Sequence, residues 1–274
     1  MSVLPTESPS LRPDDVHVWS VDLDLPAPEV FRIRRLLSPD ECQRAARFCF
    51  ERDRRRFVVA RGVLRTLLGR YAGVAPERLR FAYGPYGKPI LAGFWDERPR
   101  FNLSHSGGLA AIAIAAGADV GVDVECLRPL PDLERMAERY FSRGENAALR
   151  TLAPPDRLEA FFRCWTRKEA YLKALGDGLA RPLDAFDVSL LPGDEARLLH
   201  VRGDTGEPSR WWLRAFMPVV GAVGAIALEG PARRLARWHW PAAEAGSLPE
   251  LYSRMSDHPC AVPLGVQLDA IISD

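Results

Sequence analysis

The chain has 274 residues, of which 47% are hydrophobic, and its formal net charge is +1. This composition allows a full core in one large or two small domains and excludes a wholly disordered chain. The charge gives no global field for nucleic acid, so an anion site would need a local cluster. No stretch predicts a signal peptide or a membrane span, and the five cysteines lack metal or disulfide spacing. We therefore expect a cytoplasmic protein with reduced thiols and no nucleic-acid or membrane partner. We also expect a monomer.

The first quarter of the chain predicts one strand and two helices. Residues 1–30 contain several prolines and predict an irregular lead-in around a short strand at 16–23. A helix is predicted after Ser38, because Ser at the N-cap and Glu41 three residues later form a capping box. A longer helix follows at about 53–71, where apolar residues recur at helical spacing.

The start of the long helix is unusually basic. Arg52, Arg54, Arg55 and Arg56 crowd its first turn, where the helix dipole already disfavours cations. A solvated basic face is one interpretation of this cluster. The other is an anion site, since a helix N-terminus with arginines suits a phosphate, and Arg61 lies two turns further along the same helix.

Two polar segments precede the middle of the chain. Residues 86–89 form a predicted turn, which by itself is weak evidence for a site. Residues 101–108 then combine a strand with a polar, glycine-ended loop that carries Ser104 and His105. No Gly-x-Ser-x-Gly motif is present, so the pattern favours presentation of Ser and His to a ligand over a hydrolase triad. A buried strand is predicted at 109–116.

The next strand carries two acids on one face. Side chains alternate along a strand, so Asp123 and Glu125 of the Gly-Val-Asp-Val-Glu segment at 121–125 point the same way. Solvated acids on an exposed face are the simplest interpretation. The alternative is a site for Mg²⁺, which oxygen ligands bind while a phosphate completes the coordination shell.

Two further acids lie on predicted helices. Ser142 and Glu145 form another capping box, which explains Glu145 structurally, although a catalytic role stays open. Glu169 lies on the apolar stripe of a helix at about 156–175, and a carboxylate facing a core needs a partner. Lys173, one turn later, could be that partner in an ordinary helical pair, or Glu169 could meet Asp123 and Glu125 at a metal.

The last third predicts strands and a tail. Strands are predicted at 186–191, 211–216 and 222–228. The segment at 221–228 echoes the one at 108–115 in its small residues, which hints at an internal duplication. From about residue 233 the pattern fades into a polar tail.

Taken together, these motifs resemble the paired signature of the phosphopantetheinyl transferases of the Sfp type. The two main motifs are Gly-Val-Asp-Val-Glu at 121–125 and Trp-Thr-Arg-Lys-Glu-Ala-Tyr-Leu-Lys at 165–173. The supporting segments occur in the same order upstream, at 52–65, 87–89 and 101–106. Each segment is weak alone, but the ordered set, within a match from about 36 to 228, is highly specific.

The resemblance implies an α+β fold of two similar halves related by a pseudo-two-fold, with the active site in the cleft between them. The halves would be 1–118, with the coenzyme A-binding helix and the Ser-His loop, and 119–232, with the acids. Residues 233–274 would form a C-terminal tail. The sequence departs from the family at Glu41 and Phe57, where some relatives carry Lys and Thr.

The resemblance also implies roles for individual residues. Asp123, Glu125 and Glu169 look like Mg²⁺ ligands, and Asp123, Glu169 and Lys173 like catalytic residues. Lys173 would contact the diphosphate or protonate the leaving group. The residues that look like contacts to coenzyme A are Arg52, Arg61, Lys88, Ser104, His105 and Lys173.

The implied activity is transfer of the 4′-phosphopantetheine arm from coenzyme A to a serine of an apo acyl or peptidyl carrier protein. Two alternatives remain at this point. One is a catalytically inactive module that binds coenzyme A or a nucleotide and regulates a partner. The other is a metal-dependent nucleotide hydrolase.

Overall fold

The structure is a computed structural model that describes residues 10–84, 86–93, 99–176 and 181–240. A four-stranded sheet, in the spatial order β11-β1-β5-β4, forms the centre of the first half. Its strands are β1 (Asp15–Asp22), β4 (Arg100–Ser106), β5 (Leu109–Ala115) and β11 (Arg234–Trp240). A separate short hairpin pairs β2 (Phe81–Tyr83) with β3 (Pro89–Leu91).

Three helices accompany this sheet: α1 (Ala27–Arg34), α2 (Pro39–Ala46) and α3 (Glu51–Ala72). Apolar residues of α3 share one hydrophobic cluster with the large residues of β1 and β5. Gly62 allows α1 to approach α3, because a Cβ atom there would lie 2.1 Å from the Ile33 side chain. The capping box predicted between Ser38 and Glu41 is present at the start of α2.

A three-stranded sheet in the order β6-β10-β9 forms the centre of the second half. Its strands are β6 (Val120–Cys126), β9 (Trp211–Phe216) and β10 (Ala222–Glu229), and a small hairpin pairs β7 (Phe186–Val188) with β8 (Leu198–Val201). The helices of this half are α4 (Leu133–Tyr140), α5 (Arg143–Thr151), α6 (Pro154–Leu175) and α7 (Glu207–Arg210). The long helix α6 packs on β6 and β10.

The α+β architecture is that predicted, and its details are consistent with two similar halves. Each half contains one 22-residue helix, α3 or α6. The two segments that echo one another in sequence are the inner strands β5 and β10 of the two sheets. None of the helices within the described ranges is long and apolar enough to cross a membrane.

Several elements differ from the sequence-based expectations. The strand predicted at 186–191 ends at Val188, where the pairing with β8 becomes irregular. The segment 27–34, predicted as part of the irregular lead-in, is helix α1, and Pro28 lies in its first turn, where a missing N–H is tolerated. Residues 234–240, predicted as the start of a tail, form β11 in parallel register with β1, and Trp238 stacks on Trp19 with ring centroids 5.0 Å apart. The remainder of the predicted tail, 241–274, lies outside the described residues.

The two sheets meet along their edge strands. β4 ends the first sheet and β6 ends the second, and these strands contact each other without pairing their backbones. Side chains of β4 instead form hydrogen bonds with the backbone of β6. The Asn102 Oδ1 atom accepts a hydrogen bond of 2.9 Å from the Val122 N–H, and the Ser106 hydroxyl accepts one of 3.2 Å from the Cys126 N–H. The predicted acidic strand therefore lies at the junction of the halves.

Candidate active site

The acidic face of β6 is buried beneath helix α6. Asp123 and Glu125 are each only 4% exposed, which rules out the interpretation of solvated acids. Gly121 makes this burial possible, since a Cβ atom there would lie 2.0 Å from the Ala170 carbonyl oxygen. The glycine of the Gly-Val-Asp-Val-Glu segment thus lets α6 lie directly against the acid-bearing strand.

Asp123 binds Lys173 and Ser104 through one oxygen. The Lys173 Nζ atom donates to Asp123 Oδ1 at 2.7 Å and to the Ser104 hydroxyl at 3.0 Å, and that hydroxyl donates to the same Oδ1 atom at 2.7 Å. Burial opposes the charge of Lys173, but the carboxylates of Asp123 and Glu169 outweigh it and raise the pKa of its ammonium. The ion pair of Lys173 therefore runs across the site to β6.

Glu125 has its own pair of donors. The Ser106 hydroxyl donates to Glu125 Oε2 at 2.6 Å, and an Arg128 N–H donates to the same atom at 2.8 Å. Burial and the neighbouring charge of Asp123 raise the pKa of Glu125. The two groups that stabilise a negative charge on Glu125 are thus the buried Ser106 hydroxyl and the partly exposed Arg128 guanidinium.

Glu169 faces the core, as its place on the apolar stripe predicted. It is 6% exposed. Burial raises its pKa to about 7, with the charges of Asp123 and Glu125 adding to the effect and that of Lys173 opposing it. Its Oε1 atom is buried and has no hydrogen-bond partner, and the same is true of Asp123 Oδ2. Such unpaired buried oxygens are costly unless a ligand completes them.

The site has some, but not all, features of a divalent-cation site. Among the described residues, no three His, Cys, Asp or Glu side chains are arranged to hold a metal ion together. Lys173 and Arg128 neutralise two of the three predicted ligands instead. The unpaired oxygens of Asp123 and Glu169 are nevertheless carboxyl oxygens, the hard donors that Mg²⁺ prefers. The chemistry of those two residues is therefore compatible with the ion, and Glu125 is a further acid within the same electrostatic cluster.

The predicted contacts to coenzyme A fall into two groups, and Arg61 belongs to the structural one. It is buried, and its guanidinium lies 2.9 Å from Glu41 Oε1, while Arg65 binds the other oxygen of Glu41 at 2.6 Å. Arg52, in contrast, lies on the exposed first turn of α3, where its guanidinium pairs with the adjacent Asp53 at 3.2 Å. The basic cluster thus provides an accessible cation at Arg52 and a buried ion-pair network at Arg61.

Lys88 and His105 border the acidic site. The Lys88 Nζ atom donates to the Lys173 carbonyl oxygen at 2.7 Å, near the end of α6, and partial burial lowers the pKa of Lys88. Ser104 and His105 lie on strand β4 and not in the predicted polar loop, because this segment pairs with β5 as far as Ser106. Adjacent residues of a strand point to opposite sides, so Ser104 is buried at Asp123 and His105 is exposed.

Glu145 is part of the core of the second half. Its carboxylate accepts hydrogen bonds from the Ser142 and Val188 N–H groups at 2.9 and 2.8 Å, and it lies 2.8 Å from the Lys168 Nζ atom. The capping box predicted from the sequence is present. These contacts fill the positions that a water-mediated base would need, so the structure favours the structural role of Glu145.

Three residues of the site were not predicted individually: Asn102, Ser106 and Arg128. Asn102, Ser104 and Ser106 are spaced by two on β4, and all three reach β6. That alternation was a usable signal, because residues two apart share one face of a strand. The role of Arg128 had no signal, since it depends on how the chain turns after β6.

Comparison with known proteins assigns the chain to one family. Residues 119–222 match the 4′-phosphopantetheinyl transferase superfamily, and residues 26–117 match the family described as 4′-phosphopantetheinyl transferase, N-terminal. The chain is 40% identical over 232 residues to the 4′-phosphopantetheinyl transferase HetI of Nostoc sp., an alignment that covers 84% of this chain and 94% of that protein. It is 31% identical over 177 residues to the 4′-phosphopantetheinyl transferase Sfp of Bacillus subtilis, covering 64% of this chain and 77% of that protein. The chain therefore belongs to the 4′-phosphopantetheinyl transferase superfamily.

Proposed function

We propose that this protein transfers the 4′-phosphopantetheine arm of coenzyme A to a serine of an apo acyl or peptidyl carrier protein, that Mg²⁺ assists the transfer, and that Asp123, Glu169 and Lys173 form the reacting centre. Membership of the superfamily supports the transferase activity. The expectation of a cytoplasmic monomer belongs to the same proposal.

One observation carries the assignment of the centre. Two buried carboxylates, Asp123 and Glu169, each keep an oxygen without a partner beside the ammonium of Lys173. A site built only for stability would pair these atoms, because an unsatisfied buried acceptor costs about 1–3 kcal/mol. Asp123 and Glu169, with Glu125 beside them, would hold Mg²⁺, which when bound would neutralise charge on the diphosphate of coenzyme A.

In the proposed reaction, different residues would assist the attack of the serine and the departure of the leaving group. The serine oxygen of the carrier forms a bond to the phosphorus next to the pantetheine arm, and the bond from that phosphorus to the adenosine bisphosphate leaving group breaks. Glu169 would accept the serine proton. Lys173 would move from Asp123 toward the leaving-group oxygens as their charge develops.

Accessible cations would position the rest of the coenzyme. Arg52 and Lys88 are proposed to contact its phosphates, and Ser104 and His105 to line the adjoining edge of β4. Arg61 would act indirectly by holding Glu41 and thus the α2–α3 pair. The catalysis would come mainly from positioning and charge neutralisation, as is general for phosphoryl transfer.

Intact-mass analysis of several apo carrier proteins tests this function. With enzyme, coenzyme A and Mg²⁺, a carrier should gain the mass of one phosphopantetheine group, and its serine-to-alanine variant should not. Binding of coenzyme A without any mass gain across the carrier set would favour the inactive binding module. Breakdown of coenzyme A or a nucleotide without carrier modification would favour the hydrolase.

A further inference from the structure

The hydroxyl of Ser106 occupies a special position at the junction of the two halves. Ser106 is 1% exposed and lies at the end of β4, facing the acidic strand β6. Its Oγ atom accepts a hydrogen bond from the Cys126 N–H at 3.2 Å and donates to Glu125 Oε2 at 2.6 Å. Its carbonyl oxygen also receives the Cys126 thiol, with Sγ at 3.3 Å.

These contacts fix the direction of the hydroxyl proton. A serine hydroxyl has one donor and two acceptor positions. The Cys126 N–H is a donor only, so the single proton of Ser106 is left for Glu125. A hydrogen bond to a charged carboxylate is short and about twice as strong as a neutral one, which agrees with the 2.6 Å distance. One oxygen of Glu125 is therefore held in place from the other half of the molecule.

The second partner of Glu125 is Arg128, which follows the strand and has a side chain that is 28% exposed. The same guanidinium nitrogen also donates to the Cys126 carbonyl oxygen at 3.2 Å, and the guanidinium lies over the Phe162 ring. Arg128 therefore supplies a positive charge to Glu125 from the second half of the molecule, whereas Ser106 supplies a neutral donor from the first half.

We infer that Ser106 is a positioning residue that orients Glu125 toward the divalent cation and so sets the affinity of the site for that cation. The inference rests on the proposed function, because it requires a cation near Glu125. It gives the β4 segment a role beyond contact with coenzyme A: the first half of the molecule tunes the acids of the second half. Partners that orient metal ligands commonly change metal affinity by about 10- to 100-fold when they are removed.

The test is Mn²⁺ binding, followed by the loss of the free-ion electron paramagnetic resonance signal, in the presence of coenzyme A and without a carrier protein. Ser106→Ala should raise the Kd for Mn²⁺ by about 10-fold or more. The near-isosteric Ser106→Cys, whose thiol is a weak donor, should raise it by a smaller factor and covers the case in which the alanine variant does not fold. As a control, Ser142→Ala removes a buried hydroxyl at the start of α5, in the second half, and should leave the Kd unchanged.

A double variant shows whether Ser106 acts through Glu125. In a Glu125→Ala background, Ser106→Ala should cause no further increase in the Kd, since the oriented group is gone. Full additivity of the two changes, or a wild-type Kd in both Ser106 variants, would overturn the inference while the proposed function stands. An unchanged Kd in Glu125→Ala would also overturn it. Absence of Mn²⁺ binding by the wild-type protein would contradict the metal part of the proposed function, and the inference with it.

Discussion

Helix α6 carries two lysine–carboxylate sites, and they differ in whether every carboxylate oxygen has a hydrogen-bond partner. Lys168 is fully buried, and its ammonium contacts Glu145 and the carbonyl oxygens of Leu183 and Phe186, while the Glu145 carboxylate is saturated with donors. Five residues later, Lys173 contacts Asp123 and Ser104, yet Asp123 and its neighbour Glu169 each retain an unpaired oxygen.

On the proposed function, this contrast separates a buried ion pair that only stabilises the fold from one that takes part in the chemistry. Both sites remove charges from water, which is unfavourable unless every donor and acceptor is matched. The Lys168 site meets that condition within the chain. The Lys173 site does not, because one carboxyl oxygen of Asp123 and one of Glu169 have no hydrogen-bond partner. We therefore interpret the first site as part of the core and the second as the place where a cation and a phosphate complete the pairing.

The largest effect should follow from removing an acid of the unmatched site. Glu169→Gln or Asp123→Ala should lower single-turnover transfer by about 10³-fold, as both remove charge stabilisation from a buried reacting centre. Glu169→Gln should melt at the wild-type temperature or above it without metal, because it relieves repulsion from neighbouring acids. Transfer close to the wild-type rate in either variant would remove the distinction between the two sites.

Breaking the matched site should damage the fold and spare the chemistry. Glu145→Ala leaves Lys168 charged and buried without its partner, a change that typically costs about 3–5 kcal/mol of unfolding free energy. Denaturant unfolding measures that loss, and kcat per folded molecule at low temperature should stay near that of the wild type. A large drop in kcat in the folded variant would instead make Glu145 the base that the sequence left open.

Substitution of Lys173 should change both the stability of the fold and the rate of transfer, and the change in rate should be the larger. Lys173→Ala should lower kcat by about 10²-fold, if the ammonium meets charge that develops on the leaving group. Lys173→Arg should rescue only part of the rate, since a planar guanidinium replaces a compact ammonium. Single-turnover transfer and a thermal melt should be measured side by side, and a lower melting temperature with normal kcat would make Lys173 purely structural.

The raised pKa of Glu169 predicts a pH dependence of stability without metal. The folded protein holds this proton up to about pH 7, whereas an unfolded glutamate loses it near its ordinary value of 4.5. Between these values the folded state binds more protons, so its stability falls as the pH rises. The difference between wild type and Glu169→Gln should change by about 1–3 kcal/mol over that window, measured by denaturant unfolding with chelator present. A constant difference would show that Glu169 is not protonated in the folded protein.

Substitutions of Arg52 and Arg61 in α3 should have different effects, as those of the two lysines of α6 should. Arg52→Ala should raise the KM for coenzyme A by an amount equivalent to about 1.5–3 kcal/mol, as expected for a charged contact to phosphate. Arg61→Ala should chiefly lower the melting temperature, because it leaves Glu41 short of one partner in a buried network. Both variants should be measured by steady-state kinetics over a range of coenzyme A concentrations and by thermal melts. A raised KM in Arg61→Ala together with a lower melting temperature in Arg52→Ala would contradict this division.

Much of the site could be predicted, since its signals are local. The alternation that puts Asp123 and Glu125 on one face, and the stripe that turns Glu169 inward, depend only on strand and helix periods. The partners of those acids depend on contacts between distant segments. Lys173 has a suitable carboxylate four residues before it, and only the packing of α6 on β6 gives it Asp123 instead. The sequence pattern likewise predicts a tail at the position of β11, because the pairing partner of this strand, β1, lies about 220 residues earlier in the chain.

Thermal melts with coenzyme A and increasing Mg²⁺ test the central claim most directly. A ligand that binds only the folded state raises its stability in proportion to the logarithm of the ligand concentration. The wild type and Glu145→Gln should both show a Mg²⁺-dependent rise in melting temperature, although Glu145→Gln starts lower. Glu169→Gln should start at or above the wild-type temperature without metal and show no such rise. A full Mg²⁺-dependent rise in Glu169→Gln, or its loss in Glu145→Gln alone, would contradict the account.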